Sequence, residues 1–124
     1  AKYPNLKLSG IDTSQNGIDI CRAELPGEFY CQDIARFEVT QKYDYAICFQ
    51  TLEHFKNPHI VIDKLRQLGK DVFISVPNAN KDLCGEHIQF WTVDTFFEFL
   101  GYHFTRVNTY LIDEDQNILS KCHI

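Results

Sequence analysis

Apolar positions along this chain alternate between two spacings, short runs that are apolar at nearly every residue and stretches in which apolar residues recur every three or four. The first spacing suits strands and the second suits one face of a helix. Leu6 to Ile11 (LKLSGI) reads as a strand that ends at Asp12. Thr13, Ser14 and Asn16 then offer an N-cap to a helix with Ile18, Cys21 and Leu25 on one face, stopped by Pro26-Gly27. Glu28 to Cys31 (EFYC) is a short strand, and Tyr43 to Phe49 (YDYAICF) a stronger one, apolar on both sides as a strand covered on two faces should be. Asn57-Pro58 caps and starts a helix carrying Val61, Leu65 and Leu68, which Gly69 can end in the left-handed conformation. Val72 to Val76 (VFISV) is a buried strand closed by Pro77-Asn78. Thr92 caps a helix with Val93, Phe96, Phe97 and Leu100 along one face, ending at Gly101. Phe104 to Ile112 and Ile118 to His123, joined by the acidic turn Asp113 to Asn117, read as a β-hairpin.

Strand and helix therefore alternate up to a terminal hairpin. The expected fold is α/β, a Rossmann-like, mainly parallel sheet with flanking helices and a C-terminal antiparallel hairpin. Ligands in such sheets lie beyond the carboxyl ends of the strands. That rule directs attention to Asp12, Asp33, Phe49 to His54, and Pro77 to Asn80.

Composition narrows the classes. A length of 124 residues suits a single domain, 1–124, and 44% hydrophobic residues suffice for a core. The net charge of −5 offers no general attraction to nucleic acid or anionic lipid, and neither is expected as a partner. Five cysteines at 21, 31, 48, 84 and 122 form no CxxC pair, which argues against a zinc site or a disulfide scaffold. They read as reduced, mostly buried thiols of a cytoplasmic protein. No apolar run approaches the roughly 18 residues that would span a bilayer.

Among the strand ends, Asp12 has the residue type to accept both hydroxyls of a ribose, although the same carboxylate could cap the helix that follows. Asp33 could equally stabilise its own turn. His54 can take a proton from an acceptor hydroxyl or amine near neutral pH, and it could equally be a packing residue. Trp91, Phe90 and the cluster Phe96, Phe97 and Phe99 read as core, and His59, His103 and His123 stand singly, without partners at ligand spacing.

The series G-I-D-T-S, Q-D-I, Y-D-Y-A-I-C-F-Q-T-L-E-H-F, F-I-S-V-P-N and E-H-I-Q-F-W-T, in that order, resembles the class I S-adenosylmethionine-dependent methyltransferases, especially their small-molecule branch. The resemblance covers nearly the whole chain. It implies S-adenosylmethionine as cofactor, with Asp12 and Thr13 at its ribose, Asp33 and the backbone N–H of Ile34 at its adenine, and Phe49 and Gln50 along the adenosine and amino-acid end. It leaves His54 as the candidate catalytic residue. Glu53, His54 and His87 could alternatively ligate a divalent ion, as in methyltransferases of RNA 3′ ends and of quinone pathways. Those families carry a further glutamate where this chain has the neutral Gln50, so no metal is expected.

The family's glycine-rich turn has no counterpart, since the six glycines at 10, 17, 27, 69, 85 and 101 never cluster. The expectation is a partial methyltransferase domain that starts after the first strand and helix. It should bind cofactor weakly by itself and form a homo-oligomer through an exposed sheet seam. The expected activity is methyl transfer to a small-molecule acceptor. The alternatives are a non-catalytic methyltransferase-like binding module and, less compatible with the hairpin and the Leu-Glu-His segment, a nucleotide-binding oxidoreductase.

Overall fold

The computed structural model describes residues 3–124. The chain forms two compact units, Ala1–Glu38 and Val39–Ile124.

In the first unit, β1 (Ser9–Asp12) and β2 (Glu28–Cys31) pair in parallel, with Ser9 opposite Glu28 and Asp12 opposite Cys31. The crossover is α1 (Gln15–Glu24), whose N-cap is Ser14, its hydroxyl accepting the Gly17 N–H at 3.1 Å. Ile18 is the buried residue of this helix. The strand starts at Ser9 rather than Leu6 because β2 offers only four residues to pair with, and Leu6 stays exposed. Leu25 leaves the helical face that its spacing suggested. It lies beyond the last turn in extended backbone, as a residue before proline prefers. Gly27 has φ 152, and a Cβ there would fall 2.5 Å from the Leu8 carbonyl oxygen, so glycine lets the chain enter β2 close against its neighbour.

The second unit holds β3 (Tyr43–Phe49), a 3-10 turn at Leu52–His54, α2 (Pro58–Leu68), β4 (Gly69–Pro77), α3 (Val93–Gly101), β5 (Arg106–Ile112) and β6 (Asn117–His123). Its sheet order is β3-β4-β6-β5. β3 and β4 are parallel, with Ala46 opposite Val72 and Cys48 opposite Ile74. The terminal hairpin folds back so that β6 runs antiparallel to both β4 and β5. One sheet face supplies Val72, Ile74, Val76, Ile118 and Cys122 to the core. Val61, Ile62 and Leu65 of α2 and Phe96 and Leu100 of α3 are buried as well. The architecture is the expected Rossmann-like α/β fold with a C-terminal antiparallel hairpin.

Five local expectations are corrected. β3 is covered on one face only: Cys48 is buried, whereas Ile47 is 64% exposed and Tyr45 and Phe49 also face outward, since neighbours along a strand point to opposite sides. Gly69 ends α2 in extended backbone (φ −124, ψ 144), not in the left-handed region. Asn57 precedes α2 without a side-chain capping bond, whereas Thr92 makes a reciprocal capping box with Thr95. Phe97 and Phe90 are about half exposed rather than core, Phe97 because it lies one residue, about 100° of helix, from the buried Phe96. The thiols are all free, but only Cys48 and Cys122 are buried. Burial pushes their pKa values up to about 11 and about 12, which keeps both protonated.

Among the described residues, no helix is long and apolar enough to cross a membrane.

Candidate functional site

In the first unit the two strand-end carboxylates are exposed, and local turns orient both. Asp12 ends β1, and its Oδ1 accepts the Ser14 N–H at 2.8 Å. That bond draws Asp12 into the approach to α1, while Ser14, not Asp12, is the cap itself. Thr13 lies between them, and its carbonyl accepts the Cys31 thiol at 3.5 Å. Asp33 follows β2, and its Oδ1 accepts the Ala35 N–H at 2.9 Å. In this turn the Arg36 N–H goes to the Asp33 carbonyl at 3.0 Å and the Phe37 N–H to the Ile34 carbonyl at 3.3 Å. The Ile34 N–H donates to no group among the described residues, so the loop spends three successive donors on itself and leaves one open.

In the second unit, Phe49 is the last residue of β3, half exposed, with its carbonyl accepting the Thr51 hydroxyl at 2.9 Å. Gln50 then turns the chain with φ 50, a left-handed conformation uncommon outside glycine. Two bonds to Ser75 of β4 hold it there: its N–H reaches the Ser75 carbonyl at 2.9 Å and its Nε2 the Ser75 hydroxyl at 3.2 Å. The turn delivers the chain directly into the 3-10 turn at Leu52–His54. At the end of β4, the buried Asn78 braces the hairpin turn, donating from its backbone to the Gln116 carbonyl and from its side chain to the Asp115 carbonyl.

Glu53 is the least ordinary residue of this unit. It is a carboxylate only 1% exposed, and its Oε2 has no hydrogen-bond partner. Its Oε1 lies 3.7 Å from His54 Nε2 and 4.0 Å from His87 Nε2. The two imidazoles meet edge to face, with centroids 4.8 Å apart. His87 Nδ1 is 2.5 Å from Asp82 Oδ2, which orients the ring and directs Nε2 toward Glu53. The Glu53 carbonyl accepts the N–H groups of Ile88 and Gln89 at 2.9 and 3.0 Å, tying the 3-10 turn to the segment that carries His87. Burial pushes the Glu53 carboxyl up from its usual range, against its own backbone N–H and the two histidines. Burial also pushes Asp82 up, but its bonds to His87 and the Cys84 N–H outweigh that and hold it low.

The structure thus gathers Glu53, His54 and His87 within 4.8 Å of one another, a group with the donor set of a metal centre or of a proton-transfer cluster. Asp82 completes it. Sequence reading passed over Asp82, whose only signal is its place five residues before His87. The other histidines also have partners, remote in sequence: His59 Nδ1 lies 2.7 Å from His103 Nε2, and His123 Nδ1 lies 2.5 Å from Asp71 Oδ1.

A protein-family model described as a methyltransferase domain matches residues 2–108. Solved structures with the same fold include a S-adenosylmethionine-dependent methyltransferase from Clostridium acetobutylicum ATCC 824, at TM-score 0.72 and 11% identity over 96% of this chain and 75% of that one. The N-methyltransferase NodS from Bradyrhizobium japonicum WM9, in complex with S-adenosyl-l-homocysteine, is similar at 0.72 and 14% identity over 94% of this chain and 65% of its own. The small RNA methyltransferase HEN1 is similar at 0.74 and 15% identity over 93% of this chain but only 19% of its own. At these identities the likeness is one of fold. None of the curated proteins matches the chain in sequence.

Proposed function

This chain belongs to the methyltransferase-domain family, and from that premise we propose that it transfers a methyl group from S-adenosylmethionine to an oxygen, nitrogen or carbon nucleophile of a small-molecule acceptor. Bound S-adenosylmethionine supplies a methyl on a sulfonium, open to in-line displacement, and the protein's share of such chemistry is mostly positioning. The observation that carries the adenosine assignment is the Asp33 turn, in which the Ile34 N–H is left open beside a carboxylate fixed by Ala35. An acceptor and a donor side by side match the exocyclic amine and a ring nitrogen of adenine.

Asp12 takes the ribose. Its Ser14 bond occupies Oδ1, which orients the carboxylate for a diol, and Thr13 lines the same strand end. Phe49 offers an exposed ring and a carbonyl with a second lone pair beyond its Thr51 bond, and Gln50 is held in its turn by Ser75. These two serve the adenosine and the amino-acid end. His54, about half exposed beside the buried Glu53, is the group placed to accept a proton from the nucleophile. The five free thiols are in keeping with a reducing, cytoplasmic setting.

Calorimetric titration of the intact protein with S-adenosylhomocysteine tests this reading. Asp12→Ala should weaken binding by about 1.5–3 kcal/mol, the worth of hydrogen bonds to a charged group. Unchanged affinity in a folded variant removes Asp12 from the site. His54→Ala should lower kcat while leaving that affinity near the parent's, and equal rates would make His54 a packing residue. No binding by the intact protein, together with self-association, would favour the non-catalytic module.

A further inference from the structure

The open face of the second unit's sheet gathers charge at one end, in a place that the methyl-transfer reading leaves unused. Alternate residues of a strand share a face, and the register sets Asp71 of β4 and Arg106 of β5 on either side of His123 of β6. Phe73 and Asn108 flank Lys121 of β6 in the same way. Val72 and Cys122, in the row between, are buried in the core. Asp71, Arg106, Asn108, Lys121 and His123 line a cavity of about 220 Å³ on this face. We propose that the cavity binds a tetrahedral oxyanion, as inorganic phosphate or as a small phosphate monoester.

The first support is a set of unspent donors. Among the described residues, the side chains of Arg106, Lys121 and Asn108 make no ion pair or hydrogen bond. Lys121 Nζ lies 5.7 Å from the centroid of the Phe73 ring, a contact that steadies the ammonium without neutralising it. In a chain of net charge −5, these two cations face one cavity instead of being matched to carboxylates. The second support is the state of the cavity's one carboxylate. Asp71 Oδ1 lies 2.5 Å from His123 Nδ1, and that bond foremost, with attraction from Lys121 and Arg106, holds the carboxyl low. His123 thus takes up an oxygen of Asp71, and two cations remain against one carboxylate. The third is donor geometry. A guanidinium fork spans two oxygens and an ammonium meets a third, with the Asn108 amide beside them, so the set suits an anion with more oxygens than a planar carboxylate has. The cavity is smaller than the roughly 300–1,000 Å³ of pockets for drug-sized ligands, which fits a phosphate with a short organic group and not a polyanion. It lies toward the amino end of β4, whereas Phe49 and Gln50 lie at the carboxyl end of β3, opposite and beside Ser75. Binding there is therefore independent of methyl transfer.

The test is equilibrium dialysis of the 124-residue protein against radiolabelled inorganic phosphate, with competition by glycerol phosphate, sulfate and acetate. One equivalent should bind, with sulfate and glycerol phosphate displacing it and acetate not. Glycerol phosphate competing better than unlabelled phosphate would identify the monoester as the fitting source, and the reverse order the free ion. Arg106→Gln and Lys121→Gln, both at exposed positions, should fold and each weaken binding at least about tenfold, as for lost hydrogen bonds to a charged group. Asp71→Asn, which removes a repulsion, should bind at least as tightly as the parent, and Lys81→Gln, an exposed lysine outside the cavity, should be unchanged. The absence of saturable binding, displacement by acetate as readily as by sulfate, undiminished binding in Arg106→Gln and Lys121→Gln, weaker binding in Asp71→Asn, or loss in Lys81→Gln would each overturn the site.

Discussion

Gly69 separates two physical reasons for a glycine at the end of a helix. If it ended α2 in left-handed backbone, alanine would cost about 1 kcal/mol and asparagine, which tolerates that region, less. The residue is instead extended and opens β4, opposite Tyr43 of β3. A Cβ there would meet both the Cβ and the backbone nitrogen of Ala46 at 2.7 Å, and the Asp71 carbonyl oxygen at 2.9 Å. Ordinary carbon contacts are about 3.5–4.0 Å, so β4 would have to shift by several tenths of an ångström against two backbone atoms that cannot rotate away. Overpacking of this kind costs about 1–3 kcal/mol, offset by about 0.4–1 kcal/mol from the stiffer unfolded chain. Gly69→Ala should therefore lose about 1–2 kcal/mol, and Gly69→Asn at least as much because it brings the same Cβ and more atoms behind it. Urea denaturation with m near 2 kcal/mol/M would show the alanine loss as a midpoint lower by about 0.5–1 M. An asparagine variant more stable than the alanine one would refute the close-approach argument.

Two further outcomes can be measured with the same chain. Burial first, and repulsion from His59 second, hold His103 below its ordinary value of 6.5. The unfolded chain then binds that proton more readily, so stability should be level above about pH 6.5 and fall as pH drops below it. His103→Gln should make the slope shallower, and equal urea midpoints across that range would exclude the effect. The 124-residue chain, with β3 at a sheet edge and Ile47 exposed, should self-associate in light scattering and bind S-adenosylhomocysteine weakly. Ile47→Lys should reduce the association, whereas a stable monomer with micromolar affinity would count against the expected seam.

Periodicity located the elements well where packing and local chemistry agree. Glu28 to Cys31 and Tyr43 to Phe49 are strands over the expected residues, and Thr92 is the cap of α3. Hydropathy was less informative about which side of an element is covered. Tyr45, Ile47 and Phe49 are as apolar as Ala46 and Cys48, yet they lie on the face that stays open, because burial depends on what packs against a strand and not on its composition. Gly69 shows the same limit at the level of backbone. A glycine after a helix is compatible with a left-handed cap or a crowded strand, and only the distance to Ala46 distinguishes them.

The strand-end rule brought Asp12, Asp33, Phe49, Gln50 and His54 into view because it depends on chain order, which is legible. It could not show how the local hydrogen bonds are distributed. Both readings of Asp33 hold in part: the side chain does make its own turn, and the same turn leaves the Ile34 N–H open. The surroundings of Glu53 show the greater gap. Gln50 in place of a glutamate argued against an ion when the residues were weighed by charge alone. Folding turns Gln50 toward Ser75, encloses Glu53 with an unmet oxygen, and brings in Asp82 behind His87, a residue with no motif to mark it. Enclosure of Glu53 comes from contact with a segment far along the chain, and the bond behind His87 from the way the 82–87 loop folds, neither of which residue type and spacing carry.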